Sequence, residues 1–292
     1  MVRFVNLTLA GITQGAVFAA VALALVLIWR ATRVVNFAQG GMLMFTTFLA
    51  WTVVHEGGSY WLALGVALAS GLVIGAVAER VLVRPVEGGP PLNAVIVTLG
   101  LYVLLQAAAG MIWGDTPHSY PPAFTIKGLS AGGTRLLLSP FDLFVIGAVA
   151  LVMAALTVLF VRTNLGLKLR AAAFAPEIAR LQGVRVGRML TLGWALAALV
   201  GSLAGVLIAP SVFVGPSQFD AMLVFGFTAA VIGGLDSPAG AVVGGLLLGC
   251  ALSYVSGYIS SDLVTFGALA ALIAVLMVRP NGLFAARTGR RV

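Results

Sequence analysis

Residues 7–29 read LTLAGITQGAVFAAVALALVLIW, and RATR follows at 30–33. The first stretch carries no charged residue and no period-2 alternation, so it reads as a helix and not as a barrel strand. A helix needs about 20 mostly apolar residues to cross about 30 Å of hydrocarbon, and this stretch is long enough. It is too long for a signal peptide, and it ends in Trp29-Arg30-Ala31-Thr32-Arg33 where a cleavage site would need small residues. It reads as a retained first span.

The same pattern recurs at 34–54, 60–78, 92–113, 140–161, 189–209 and 263–278. A further long apolar stretch, 221–257, is interrupted by Gly233-Gly234-Leu235-Asp236-Ser237-Pro238-Ala239-Gly240. The whole chain agrees: 61% of its 292 residues are hydrophobic and 9% are charged, against roughly a quarter charged in a soluble domain. The bilayer solvates such surface, provided that every backbone N–H and C=O is satisfied inside a helix. The predicted fold is an all-α polytopic transmembrane bundle in a single domain, 1–292. It has about seven spans plus a broken helical hairpin at 221–257, eight to nine hydrophobic helices in all. The net charge of +8 fits basic loops on one face of a membrane better than nucleic-acid binding. Cys250 has no partner in the chain, and His55 and His118 lie in different loops, so neither a disulfide nor a metal site is expected.

The basic residues set the orientation. The segments 30–33, 79–91, 162–188 and 279–292 hold two, two, six and four of them, 14 of the chain's 17. The positive-inside rule makes those segments cytoplasmic, with the N-terminus outside and the C-terminus inside. The stretch 221–257 must then begin and end outside. It is predicted to enter as a short helix over 221–232, turn at 233–240 and return as a longer helix. The alternative is a glycine-softened bend between two ordinary spans. Broken helices at membrane depth often line substrate paths.

Two further patterns lie inside the spans. Glycine pairs at small-xxx-small spacing, Gly11/Gly15, Gly71/Gly75, Gly201/Gly205, Gly240/Gly244 and Gly245/Gly249, predict close helix packing. Neutral polar residues share helical faces: Gln14 with Gly11 and Gly15, Asn36 with Gln39 and Gly40, and Thr98 with Tyr102 and Gln106. With Gly233, Gly234, Asp236 and Ser237 of the break, they are the candidates for a substrate path. Hydrogen bonding between helices is the competing reading of each. No charged residue falls near the middle of a regular span, which disfavours a proton-driven carrier, though Asp236 keeps that option open. No nucleophile–base or metal constellation supports an enzyme.

The longest hydrophilic segment on the predicted cytoplasmic side is 162–188. Pro176 and Glu177 suit a first helical turn, and Gly183 suits a stop. A helix of about two turns over 176–182 is predicted, with Ile178 and Leu181 on one side as a docking stripe. The competing reading is a solvated basic loop near anionic head groups.

The stretch Glu177-Ile178-Ala179-Arg180-Leu181-Gln182-Gly183 resembles the Glu-Ala-Ala-x-x-x-Gly loop of permease subunits in ABC importers, with Ile178 in place of the usual first Ala. The segments Thr32-Arg33-Val34-Val35-Asn36-Phe37-Ala38-Gln39-Gly40, Arg84-Pro85-Val86, Ile96-Val97-Thr98-Leu99-Gly100-Leu101, 231–241 and Arg279-Pro280-Asn281-Gly282-Leu283-Phe284 resemble LivH-type permeases, which import branched-chain amino acids. Gln39 and Asp236 depart from the residues expected of that family. The resemblance runs along essentially the whole chain and implies a bacterial plasma (inner) membrane permease domain. It implies as partners a second, similar permease, two cytoplasmic P-loop ATPases and an extracytoplasmic amino-acid-binding protein. ATP and magnesium would sit on the ATPases, with no cofactor on this chain. Arg170, Pro176, Glu177, Ile178, Ala179, Leu181 and Gly183 would form the ATPase-coupling surface. The chain's two lysines, Lys127 and Lys168, lie outside any Gly-x-x-x-x-Gly-Lys-Ser/Thr, so no phosphate-cradling loop is present. A self-sufficient secondary carrier or channel for a small polar or amphipathic solute is the alternative.

Overall fold

The first helix forms the axis of the bundle. In a computed structural model, which describes residues 2–86, 88–128, 130–131, 134–135 and 138–284, α1 (Val2–Thr32) has 83% of its apolar window buried. Around it lie α2 (Gln39–His55), α3 (Tyr60–Val77), α4 (Pro91–Trp113), α5 (Pro140–Arg162), α6 (Asn164–Phe174), α7 (Pro176–Leu181), α8 (Val186–Ile208), α9 (Asp220–Gly233), α10 (Pro238–Tyr258) and α11 (Val264–Val278). A short antiparallel pair, β1 (Ser130–Ala131) with β2 (Thr134–Arg135), sits in the connection between α4 and α5.

Among the described residues, seven helical stretches are long and apolar enough to cross a membrane. Their membership differs from the sequence reading in one exchange. The predicted span 34–54 contracts to α2, 17 residues, or about 26 Å at 1.5 Å per residue. The chain breaks ahead of it because Arg33 adopts a left-handed φ of 57° and the Asn36 carboxamide accepts from the Ala38 N–H, closing a local turn. In its place α10, with 21 residues, has full spanning length.

The helix ends follow local chemistry. Ser139 and Asp142 form a reciprocal capping box on α5. Ser59 and Ser237 cap α3 and α10. Pro91, Pro140, Pro176 and Pro238 stand at first-turn positions, where a missing N–H costs nothing.

The glycine pairs pack helix on helix. A methyl group on Gly249 would lie 2.3 Å from the Gly15 Cα, so α1 and α10 touch backbone to backbone. Gly71 and Gly75 likewise admit Ser202 and Ala198 of α8 against α3.

The predicted hairpin at 221–257 is α9, a turn at 234–237, and α10. Gly234 takes φ 98° in the turn, and the Gly282 backbone lies against it. Ile232 and Gly233 carbonyls accept from the Leu283 and Phe284 N–H groups, and Asp236 pairs with Arg33. Arg30, Arg33 and Arg170 line one cavity. The basic segments therefore gather at one end of the bundle with the hairpin turn. At the other end His118 and Val214 exchange backbone hydrogen bonds of 2.8 Å, and the Trp51 indole donates to the Ser119 carbonyl. The basic residues Arg287, Arg290 and Arg291 lie outside the described residues.

Candidate functional site

The segment 162–188 is more helical than its sequence suggested. Thr163 caps an additional helix, α6, by accepting from the Gly166 N–H at 3.0 Å. After Ala175 the chain turns into α7, six residues long. Its end is a complete Schellman motif: the Val184 N–H reaches the Ala179 carbonyl at 2.9 Å, and the Gly183 N–H reaches that of Arg180 at 3.0 Å. Gly183 supplies the required positive φ of 80°. Ala172, Ala179, Val186 and Leu190 bury together and fix α6 and α7 on the start of α8. On the opposite side Phe174, Ile178 and Leu181 stand 91%, 59% and 89% exposed, and Glu177 is exposed beside them. The helix pair, held by its small residues, thus presents an open apolar stripe. Arg170, one turn before Phe174 on α6, lines a cavity with Phe174, Arg30 and Arg33.

The polar candidates of the spans fall into separate places. Asn36 and Gln39 are completely buried: Asn36 donates to the Gln39 carboxamide, and Gln39 donates to the Ala197 carbonyl of α8 at 3.3 Å. Gly40 packs on Leu223 of α9. Thr98 is also buried and donates to the Val95 carbonyl of its own helix. Tyr102 donates to Asp220 and Gln106 to the Pro216 carbonyl, so α4 grips the segment that leads into α9. Gln106 also lines an open cleft of about 620 Å³ with Gly110, Asp115, Pro216 and Ser217. Gln14 lines a different cleft of about 130 Å³ against α5 and α8. In the hairpin turn, Gly233 lies so close to Gly240 that a methyl group on it would come 2.1 Å from the Gly240 carbonyl oxygen. Ser237 is occupied as a cap, and Asp236 is exposed and paired with Arg33.

One charged cluster was missed. The sequence places Glu79 in a loop, but α3 continues through a π-helical turn, Ala78–Val83, and a 3-10 turn, Arg84–Val86. Glu79 is 1% exposed. Its carboxylate accepts from the Arg84 guanidinium at 2.8–3.1 Å and from the Thr191 hydroxyl at 2.6 Å. Arg84 also donates to the Gly187 carbonyl. The cluster ties the end of α3 to the first turns of α8, just beyond α7. The signal in the sequence is an opposite-charge pair at i, i+5, which an α-helix does not bring together but a π-turn does. Among the described residues no group of His, Cys, Asp and Glu could hold a metal ion.

Residues 7–278 match the family described as "Branched-chain amino acid transport system / permease component". The chain is 27% identical to the high-affinity branched-chain amino acid transport permease LivH of Salmonella typhimurium, over 94% of this chain and 92% of that one. It is 31% identical to the corresponding permease BraD of Pseudomonas aeruginosa, over 94% and 93% of the two chains. Its fold is similar to a chain of PsaBC from Streptococcus pneumoniae, solved in complex with Fab. That likeness has a TM-score of 0.53 and 13% identity over 94% of this chain and 91% of that one.

Proposed function

The chain belongs to the family of branched-chain amino acid transport permease components, and from that premise we propose how it takes part in an ATP-driven importer. It is a multi-pass inner-membrane subunit that provides part of the translocation path for branched-chain or related amino acids. ATP hydrolysis falls to two cytoplasmic partner chains that carry the ATP and magnesium. A second, similar permease completes the path, and an extracytoplasmic binding protein delivers the amino acid. The basic end of the bundle faces the cytoplasm.

The open stripe of Phe174, Ile178 and Leu181, with Glu177 beside it, carries the coupling assignment. An ATPase seated on it would push α6 and α7 as one body when its dimer closes. The Ala179–Leu190 cluster passes that motion into α8, and the Glu79–Arg84–Thr191 contacts pass it on to α3. The polar residues that open onto clefts, Gln14 and Gln106, belong to the path; Asn36 and Gln39 tie α2 to α8, and the Thr98 hydroxyl is spent on its own helix.

Uptake by the assembled complex in ATP-loaded liposomes tests the reading. Glu177→Lys and Gly183→Arg should each abolish ATP-coupled uptake and reduce co-purification of the ATPases. Helicity and gel-filtration behaviour should stay unchanged. Unchanged uptake in both variants sinks the docking role. Uptake by the purified chain alone, without ATP, would establish the carrier or channel alternative.

A further inference from the structure

A groove of about 550 Å³ runs between α1, α5 and α10 at the basic end. Its floor is α1, through Leu23; its walls are Phe160 and Val161 of α5 and Val243 of α10. The outer walls are open: Val161 is 60% and Val243 is 36% exposed, and both helices continue outward with Leu151, Val158 and Leu247. The mouth therefore opens between apolar outer faces of two spanning helices. Two guanidinium groups, Arg30 and Arg170, close the groove at its basic end. The carboxylate of that neighbourhood, Asp236, is paired with Arg33, and no carboxylate lines the groove. Among the described residues, neither Arg30 nor Arg170 makes a hydrogen bond or a contact ion pair, and Asp236, held by Arg33, reaches Arg30 only through its charge. A half-buried Arg30 with an exposed Arg170 beside it at the end of an apolar trough calls for an anion, and the trough calls for hydrocarbon attached to it.

We propose that this groove holds an anionic phospholipid, its phosphate between Arg30 and Arg170 and its acyl chains along α5 and α10. Basic pockets between spanning helices recognise such head groups, and a planar guanidinium pairs with phosphate through two parallel hydrogen bonds. The lipid would seal the side of α1 that the helices leave uncovered and fix α6, through Arg170, against the bundle.

The test is lipid binding to the complex that co-purifies with the chain, in neutral detergent, titrated with phosphatidylglycerol and with phosphatidylcholine and read by native mass spectrometry. Wild type should retain phosphatidylglycerol at least tenfold better than phosphatidylcholine. Arg30→Gln and the exposed-site variant Arg170→Gln should each cut that preference about tenfold, and Val243→Trp should reduce binding of both lipids by filling the trough. Arg80→Gln, which removes the same charge from an exposed position away from the groove, should change nothing. An equal loss in Arg80→Gln, or an undiminished preference in both groove variants, overturns the site. So does displacement of the lipid by millimolar leucine, which would make the pair a receiver of substrate carboxylate. So does displacement by millimolar inorganic phosphate, or absence of the lipid from the assembled complex while the isolated chain binds it.

Discussion

α1 and the stretch Ser261–Val278, which contains α11, have apolar windows of the same mean hydropathy, yet 83% of one and 6% of the other is buried. Hydropathy says only that a helix tolerates hydrocarbon. It cannot say whether lipid or protein supplies it, because lipid tails are as apolar as leucine and give helices no hydrophobic reason to associate. Side-chain size makes the difference. α1 places Gly11 and Gly15 against the glycines of α10, and between Ala16 and Ala24 five of nine residues are alanines, every one buried. In α11 Phe266, Ile273 and Met277 are 68%, 57% and 81% exposed, and only Ala268 is buried. Small residues let backbones approach and collect dispersion contacts; large ones hold neighbours off.

The sharpest way to break this comparison is one methyl group added to each region. Gly249→Ala sets a Cβ 2.3 Å from the Gly15 Cα and 2.4 Å from its nitrogen. Backbone cannot swing aside, so the two helices must separate. We expect a loss of about 3 kcal/mol or more, seen as a lower thermal unfolding midpoint in detergent. Gly267→Ala meets nothing nearer than a Leu252 methyl at 3.4 Å. It should be neutral, or gain up to about 1 kcal/mol from better helix propensity. Equal losses in the two variants would show that small residues do not decide which helix is central.

That contrast was partly legible in the sequence. The small-xxx-small pairs pointed to close packing, and each chosen pair meets a neighbouring helix. What could not be read was which pair meets which, since spacing fixes a face and not its partner. The break at Gly233–Gly240 was legible because glycine, serine and proline there each carry a turn role, and the short-then-long hairpin follows. The contraction of α2 was not, because Arg33-Val34-Val35 shows no turn residue; Asn36 closes the turn from the far side. The helix α6 was hidden by reading 162–188 as a loop around a single helix, although Thr163 is an ordinary cap. The open stripe at Ile178 and Leu181 follows from i, i+3 spacing, whereas Phe174 joins it only through α6. The polar faces of the spans proved least informative: a shared helical face placed Asn36 and Gln39 as candidates, but their burial depends on how α8 crosses α2.

A charge carried into the buried class sharpens the comparison further. Glu79 is as buried as the centre of α1, and removing it leaves Arg84 facing Gly187 without its carboxylate. Breaking a buried pair costs about 3–5 kcal/mol. Because the Arg84 side chain is 34% exposed, part of its charge is solvated, and Glu79→Ala should cost about 2–3 kcal/mol. The double variant Glu79→Leu with Arg84→Leu should recover most of that loss, since an apolar pair of similar volume replaces the ion pair without a stranded charge. A double variant as weak as the single would mean that the Thr191 and Gly187 contacts, and not the charge pairing, hold α3 to α8.

The smallest effect belongs to the exposed counterpart of that pair. Arg33 and Asp236 sit in contact, but their side chains are 62% and 52% exposed, so water and salt screen them and the pair contributes about 0–1 kcal/mol. Asp236→Asn should therefore shift the unfolding midpoint little, and the shift should vanish at high salt. Arg33 has a second role that its charge conceals, a left-handed φ of 57° that disfavours any side chain by about 1–2 kcal/mol. Arg33→Gly loses the ion pair but relieves the backbone, whereas Arg33→Ala loses the pair and keeps the strain. The glycine variant should be the more stable of the two by about 1 kcal/mol. If the alanine variant is equal or better, the turn ahead of α2 is held by Asn36 at no backbone cost. The short α2 would then reflect that one side chain and not a conformation imposed on Arg33.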